Sequence, residues 1–342
     1  MRIGVLTGGG DCPGLNAVIR GVVRKAERDL GHDVVGILDG WSGLLDNRVT
    51  PLSVEICRGI LPRGGTILGT SRYQPFMYPD GMDRVRASIE ANRIDALIAI
   101  GGEGTLSAAN RVYEAGISLV GVPKTIDNDI AGTERTFGFD TAVQIATEAI
   151  DRLHTTAESH DRIMVVEVMG RNVGHIATWA GLAGGATLTL VPEEPFDIQE
   201  VCNALTRRHR RGRYASIVVV AEGATPKEGT IELVAAEVDQ YGHRRLGGIG
   251  GVVAAEIEAR TGYETRVTVL GHVQRGGTPT SFDRVLSTWF GVAATEAVDD
   301  GDFGTMMAYR KSQVVRAPLA ECVADLKYTS PELLRTARTF FA

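Results

Sequence analysis

Ala96-Leu97-Ile98-Ala99-Ile100-Gly101-Gly102-Glu103-Gly104-Thr105 carries two signals in one short stretch. Its first half is apolar at every position rather than at alternate ones, as expected of a strand covered on both faces of a parallel sheet. Its second half is a run of glycines with Glu103 and Thr105, residues that suit the turn into a helix. Further short apolar, β-branched runs at 3–6, 34–38, 119–122, 163–168, 217–221 and 267–270 read as strands. Amphipathic stretches lie between them. Ala142, Ile145, Ala146, Ala149, Ile150 and Leu153 recur at helical spacing and form one apolar face. This alternation predicts doubly wound α/β layers.

The chain has 342 residues, 44% of them hydrophobic, enough for two domains of ordinary size. Its 42 glycines against 12 prolines suit glycine loops in an α/β protein. A net charge of −6 is a mild acidic excess and argues against a nucleic-acid binder. Cys12, Cys57, Cys202 and Cys322 show no C-x-x-C spacing, so reduced thiols in the cytoplasm are expected. The first residues enter a strand at once, which leaves no place for a signal peptide. No apolar run approaches the roughly 18 residues of a membrane span. The stretch 226–251, rich in glycine and charge, reads as a surface hairpin or loop.

Open α/β sheets bind ligands at the carboxyl ends of their strands. Gly8-Gly9-Gly10-Asp11-Cys12-Pro13-Gly14 follows the first strand. Its bare backbone can approach phosphate oxygens ahead of a helix N-terminus, or it is simply a tight turn. It is not a P-loop, and Pro13 breaks G-x-G-x-x-G. In Gly101–Thr105 a carboxylate among glycines can hold Mg²⁺ on bound phosphates, since that cation prefers oxygen ligands. The alternative is a capped turn.

Pro123-Lys124-Thr125-Ile126-Asp127-Asn128-Asp129 sets two aspartates at spacing two. Phosphorylating a hydroxyl needs a carboxylate to take its proton while the phosphoryl group moves in line. The alternative is a polar turn whose side chains bond its own backbone. In Met169-Gly170-Arg171, a strand-end arginine can neutralise a transferring phosphoryl group or form a surface ion pair. From Arg266 to Gly277, the cations Arg266, His272 and Arg275 bracket an apolar strand. They can grip a phosphate monoester or be ordinary surface charge.

In this order and at these spacings the five clusters resemble the phosphofructokinase family, over nearly the whole chain. The resemblance implies phosphoryl transfer from Mg-ATP to the 1-hydroxyl of fructose 6-phosphate, giving fructose 1,6-bisphosphate. It casts Asp127 as the general base, with Thr125 and Asp129 beside it, and Arg171 as the transition-state charge stabiliser. Met169, Gly170 and Glu222 are implied fructose contacts. Arg162, Arg266, His272 and Arg275 are implied sugar-phosphate ligands. In the family the counterparts of Arg162 and Arg266 come from a neighbouring subunit, so a homo-oligomer is implied, usually a tetramer. Gly10, Arg72, Tyr73, Gly102, Glu103, Gly104 and Thr105 are the implied donor side, with Glu103 near the metal.

The family fold is two similar doubly wound, Rossmann-like domains with mostly parallel sheets. The boundaries it implies are 1–138 plus about 274–325 for the donor domain, and 139–273 plus about 326–342 for the fructose 6-phosphate domain.

The chain departs from the best-known bacterial ATP enzymes. Glu103 replaces their metal-loop aspartate. Lys124 replaces a glycine and is typical of pyrophosphate-using relatives, yet those usually carry aspartate where this chain has Gly104. An aspartate there would set a negative charge against the α-phosphate, whereas a lysine, as a flexible point charge, attracts either donor. Gly104 therefore favours ATP, with pyrophosphate as the alternative. Arg20, Arg24, Arg211 and Arg213 match basic effector positions, but Thr187 and His154 stand where those enzymes have glutamate and arginine. The stretch 226–251 looks like an insertion relative to the short bacterial enzymes. Two other readings are a different kinase built on the Gly101–Thr105 loop and a non-catalytic sugar-phosphate sensor.

Overall fold

The computed structural model describes residues 1–231 and 246–340, so residues 232–245 of the glycine- and charge-rich stretch lie outside the described residues. The strands are β1 (Arg2–Gly8), β2 (Asp33–Ile37), β3 (Val49–Leu52), β4 (Ala96–Gly101), β5 (Leu119–Thr125), β6 (Phe137–Gly138), β7 (Ile163–Val168), β8 (Leu188–Leu190), β9 (Ser216–Ala221), β10 (Thr265–Val269), β11 (Thr305–Arg310) and β12 (Gln313–Pro318). The helices are α1 (Leu15–Arg24), α2 (Trp41–Leu45), α3 (Gly81–Asn92), α4 (Glu103–Glu114), α5 (Phe139–His160), α6 (His175–Ala183), α7 (Ile198–Arg210), α8 (Ile249–Thr261), α9 (Ser281–Asp299), α10 (Leu319–Cys322) and α11 (Pro331–Arg338). The chain divides into two units: Met1–Thr141 with Arg275–Leu326, and Ala142–Gln274 with Lys327–Ala342.

In the first unit the sheet order is β12-β11-β5-β4-β1-β2-β3, with β6 added beside β5. The central pairs are parallel, and antiparallel β3 and β12 close the edges. Every residue of β4 is buried, which explains why its sequence does not alternate. Leu6, Ile37, Leu97, Ala99 and Leu119 meet α2, α3 and α4 in one apolar cluster. Helix α9 lies along α1 and against β4, β5 and β11. Each fully buried Leu, Ile or Val contributes about 1.5–3 kcal/mol.

In the second unit four parallel strands run in the order β10-β7-β9-β8. Val165, Val218 and Val220 pack against Val201, Leu205, Val253 and Ile257 of α7 and α8. Both units are thus α/β with parallel centres, the second showing no antiparallel edge strand among the described residues. The predicted apolar face of α5 holds in its middle, where Ala142, Ala146 and Ile150 are buried.

Five strands had no sequence signal. β3 contains Pro51, which an edge strand tolerates because it donates no ladder bond there. β11 and β12 are joined through Lys311 and Ser312 at φ 49° and 62°, a left-handed two-residue turn without the usual glycine or asparagine. Among the described residues no helix is long and apolar enough to cross a membrane.

Candidate active site

In the first unit the strand order reverses between β1 and β4, where the crevice beyond the carboxyl ends is the usual ligand position. The two strand ends lie in register, Gly8 beside Gly101. Thr105 fills the notch between them: a Cβ on Gly8 would come 2.7 Å from its Oγ1, and one on Gly101 2.3 Å from its Cβ. The two glycine loops, far apart in sequence, are thus locked together by one buried threonine.

A second set of bonds ties the loop bearing Arg72 and Tyr73 to this place. Asn16 of α1 donates to Arg63 O and Gly64 O and accepts from Ile67 N, at 3.1, 3.3 and 2.8 Å. Thr70 Oγ1 donates to Gly9 O at 2.6 Å, and Gly9 N to Ser71 O at 2.9 Å. Gln74 Nε2 donates to Gly104 O at 3.0 Å. A side chain at Gly104 would start in nearly open space, its Cβ meeting only that amide nitrogen, at 3.3 Å. Glu103, at the start of α4, is exposed, and its Oε1 accepts from Ser107 Oγ at 3.2 Å. The Arg275 guanidinium lies over the Cα of Gly10, and its Nη1 points to Asp11 O at 3.5 Å.

Lys124 is not the flexible point charge expected from the sequence. It is buried, and its Nζ donates to Gly10 O. Burial pushes its pKa down to about 8, helped by Arg275 and opposed by Cys12, Asp127 and Asp11.

Beyond Thr125 the chain turns sharply. Asp127 N donates to Thr125 Oγ1 at 3.0 Å, and Asn128 takes a left-handed φ of 55°. The side chains that hold this turn are those of Thr125 and Asn128, not that of Asp127. The Asp127 side chain is buried, 5% exposed, and its Oδ1 has no hydrogen-bond partner among the described residues. Asp129 is buried beside it in sequence.

The second unit carries its own cluster at the carboxyl ends of β7 and β9. Glu222 Oε1 accepts from Gly170 N at 3.3 Å and Arg171 N at 3.0 Å. This carboxylate holds the loop in a shape with φ 143° at Gly170 and 51° at Arg171. Gln274, fully buried, donates to Gly271 O at 3.0 Å and faces Met169 N at 3.4 Å. Arg162 and Arg266 meet on one carboxylate, Glu264 Oε1, at 2.8 and 2.5 Å. Arg162 first, then Arg266, holds the Glu264 carboxyl below its ordinary range. His272 is exposed in the turn after β10.

Of the basic effector positions, Arg211 and Arg213 line a cavity of about 450 Å³ with Thr187, Arg207 and Arg208. Arg20 and Arg24 lie on α1 in the first unit. His154 Nε2 lies 2.6 Å from Gly184 O.

The first unit therefore gathers Gly10, Arg72, Tyr73, Gly102–Thr105, Lys124, Thr125, Asp127, Asp129 and Arg275. The second brings Met169, Gly170, Arg171 and Glu222 together at the carboxyl ends of β7 and β9, with His272 in the turn after β10. Arg162 and Arg266 instead pair through Glu264 at the amino ends of β7 and β10, the opposite end of that sheet. Sequence reasoning assigned no role to Asn16, Gln74, Asn128, Glu264 or Gln274. A single amide or carboxylate carries no pattern of its own, and each becomes visible only through its partners.

The family described as Phosphofructokinase matches residues 2–298. A pyrophosphate–fructose 6-phosphate 1-phosphotransferase of Streptomyces coelicolor is 57% identical over 342 residues, covering 100% of both chains. An ATP-dependent 6-phosphofructokinase of Corynebacterium efficiens is 56% identical over 342 residues, covering 100% of this chain and 99% of that one. Among solved structures, Pichia pastoris phosphofructokinase in the T-state is similar with a TM-score of 0.84 and 31% identity, over 99% of this chain and 36% of that one. On a match this extensive in both sequence and fold, the chain belongs to the phosphofructokinase family.

Proposed function

We propose that this protein transfers the γ-phosphoryl group of Mg-ATP to the 1-hydroxyl of fructose 6-phosphate, releasing ADP and fructose 1,6-bisphosphate. The observation that carries this reading is the buried Asp127 carboxylate, just beyond the end of a central parallel strand, whose Oδ1 has no hydrogen-bond partner among the described residues. As the hydroxyl oxygen forms its bond to phosphorus and the bond to the leaving phosphate breaks, that carboxylate accepts the hydroxyl proton. Arg171 offsets negative charge on the transferring group. Thr125 and Asp129 stand beside the base. Met169, Gly170 and Glu222 hold the fructose, and Arg162, Arg266, His272 and Arg275 its 6-phosphate. The presence of Asp127 and Arg171 together favours a catalyst over a sensor.

The donor side comprises Gly10, Arg72, Tyr73 and Gly102–Thr105. Glu103 presents a hard, exposed carboxylate at the start of α4, and among the described residues no cluster of three His, Cys, Asp or Glu makes a separate cage. Such a donor set fits Mg²⁺, which takes one or two carboxylates together with phosphate oxygens and water. When bound, the cation neutralises charge on the donor phosphates. The first unit is accordingly the donor domain and the second the fructose 6-phosphate domain of a cytoplasmic homo-oligomer, a tetramer with shared sites.

ATP is favoured over pyrophosphate by the glycine at position 104, which sets no carboxylate against the α-phosphate. Lys124 favours the second reading, pyrophosphate, by adding positive charge near the glycine loop. Measuring kcat/KM for each donor in a coupled assay for fructose 1,6-bisphosphate decides between them. The unmutated protein should prefer ATP, Gly104→Asp should lose ATP use sharply, and Lys124→Gly should keep appreciable ATP activity. A clear preference of the unmutated protein for pyrophosphate would sink the ATP assignment.

A further inference from the structure

Asn128 stands between the two aspartates and has a left-handed backbone, with φ 55°. A turn alone would be served by glycine, which enters this region freely. The side chain here does more. It is buried, 3% exposed, and reaches across to the returning chain at 134–136. Its Oδ1 accepts from Thr136 N at 3.0 Å and lies 3.4 Å from Thr136 Oγ1, and its Nδ2 donates to Glu134 O at 3.4 Å. Thr136 Oγ1 in turn donates to Thr125 O at 2.8 Å, and Thr125 Oγ1 accepts from Asp127 N at 3.0 Å. These bonds form a ring of backbone and side-chain contacts around the turn, running through 125, 127, 128 and 136. The Asp127 Oδ1 atom takes no part in it. What aims the carboxylate is therefore the backbone on either side, and Asn128 is the side chain that clamps that backbone.

We propose that Asn128 is a positioning residue for phosphoryl transfer, holding the Asp127 carboxylate where it meets the acceptor hydroxyl. The inference rests on the reading of Asp127 as the general base. Small displacements of a reacting group are costly, about 10²-fold for roughly 1 Å. Asn128→Gly keeps the left-handed turn and removes the clamp. Its kcat should fall about 10- to 100-fold while KM for both substrates stays within about threefold, since the lost interaction acts on the transition state. Asn128→Ala should lose as much kcat and also lower the Tm, because alanine resists the left-handed region.

A purely structural role is separated by a double mutant. Once the base is gone its placement no longer matters, so Asp127→Asn/Asn128→Gly should have the kcat of Asp127→Asn alone. The proposal is overturned by a folded Asn128→Gly with kcat within about twofold of the unmutated protein. It is equally overturned by a double mutant that falls by the full single-mutant factor again. Thr136→Val, which cuts the ring from its other side, should lose about 3- to 10-fold in kcat, and the same double-mutant comparison with it decides the matter should Asn128→Gly not fold. A near-normal kcat in Asp127→Asn alone would instead refute the base assignment.

Discussion

At the residue scale, burial decides what a charged group can do. Lys124 is 3% exposed, and its ammonium is held against a backbone carbonyl of the glycine loop. Desolvation is the first cause of its fall from an ordinary 10.5 to about 8, and the nearby Arg275 adds to it. The side chain thus changes from charged to neutral within a range where the enzyme can be assayed. On the proposed donor side its positive charge below about pH 8 would favour donor phosphates, and above that pH the charge is lost. Donor KM should therefore rise as pH passes upward through about 8. Lys124→Met should raise donor KM at low pH and flatten the rise. Steady-state kinetics across that range test this; a Lys124→Met profile that keeps the same upward limb would assign it to another group.

At the element scale, the starts of α5 and α9 are tied to each other rather than capped separately. Thr280, the residue before α9, accepts from Asp283 N at 3.2 Å and donates to Asp140 Oδ2 at 2.7 Å. Asp283 Oδ2 accepts from Thr141 N at 2.8 Å and Thr141 Oγ1 at 2.5 Å, while Thr280 N donates to Thr141 Oγ1 at 3.1 Å. Burial pushes the Asp283 pKa up from 3.8 to about 6, against the lowering effect of its bonds to Thr141. The folded state then holds this proton more tightly than the unfolded chain does. The cost of the buried charge is fully present above about pH 6 and is relieved as pH falls toward 3.8. Relative to Asp283→Asn, the unmutated protein should gain about 2–3 kcal/mol over that interval as pH is lowered. Urea midpoints of the two proteins measured across the interval give the difference directly, and a difference independent of pH would contradict the buried carboxylate. Such ties between helix starts have no sequence signature, because a threonine and an aspartate at either start read only as separate caps.

At the scale of the whole molecule, Glu264 gathers Arg162 and Arg266, the two arginines that the proposed shared site assigns to a neighbouring subunit's centre. On the proposed shared site, Arg162→Ala and Asp127→Ala damage different contributions to one centre. Oligomers of each variant, unfolded together and reassembled, should recover activity that neither parent has, because some hybrid sites receive an intact contribution from each chain. Hybrids confirmed by a tag on one parent, yet no more active than the parents, would place both residues in one subunit's site.

The parts of this protein that its sequence declared are those governed by neighbours in the chain. Uniform apolarity marks a strand buried on both faces, so β4 and β7 were legible almost to the residue. Glycines at strand ends and the Asp-Asn-Asp turn were legible as candidate phosphate and base positions, each with a plain turn as its alternative, and the proposed function builds on the first of these readings. The partners of those residues were not legible. Thr105 seated between Gly8 and Gly101, Lys124 withdrawn onto Gly10, and Arg162 joined to Arg266 through Glu264 each depend on residues about a hundred positions apart. Local pattern reports which face of an element is buried, but not what lies across from it. Burial, hydrogen-bond pairing and the pKa shifts that follow are set by those opposite residues, so only the folded chain decided them.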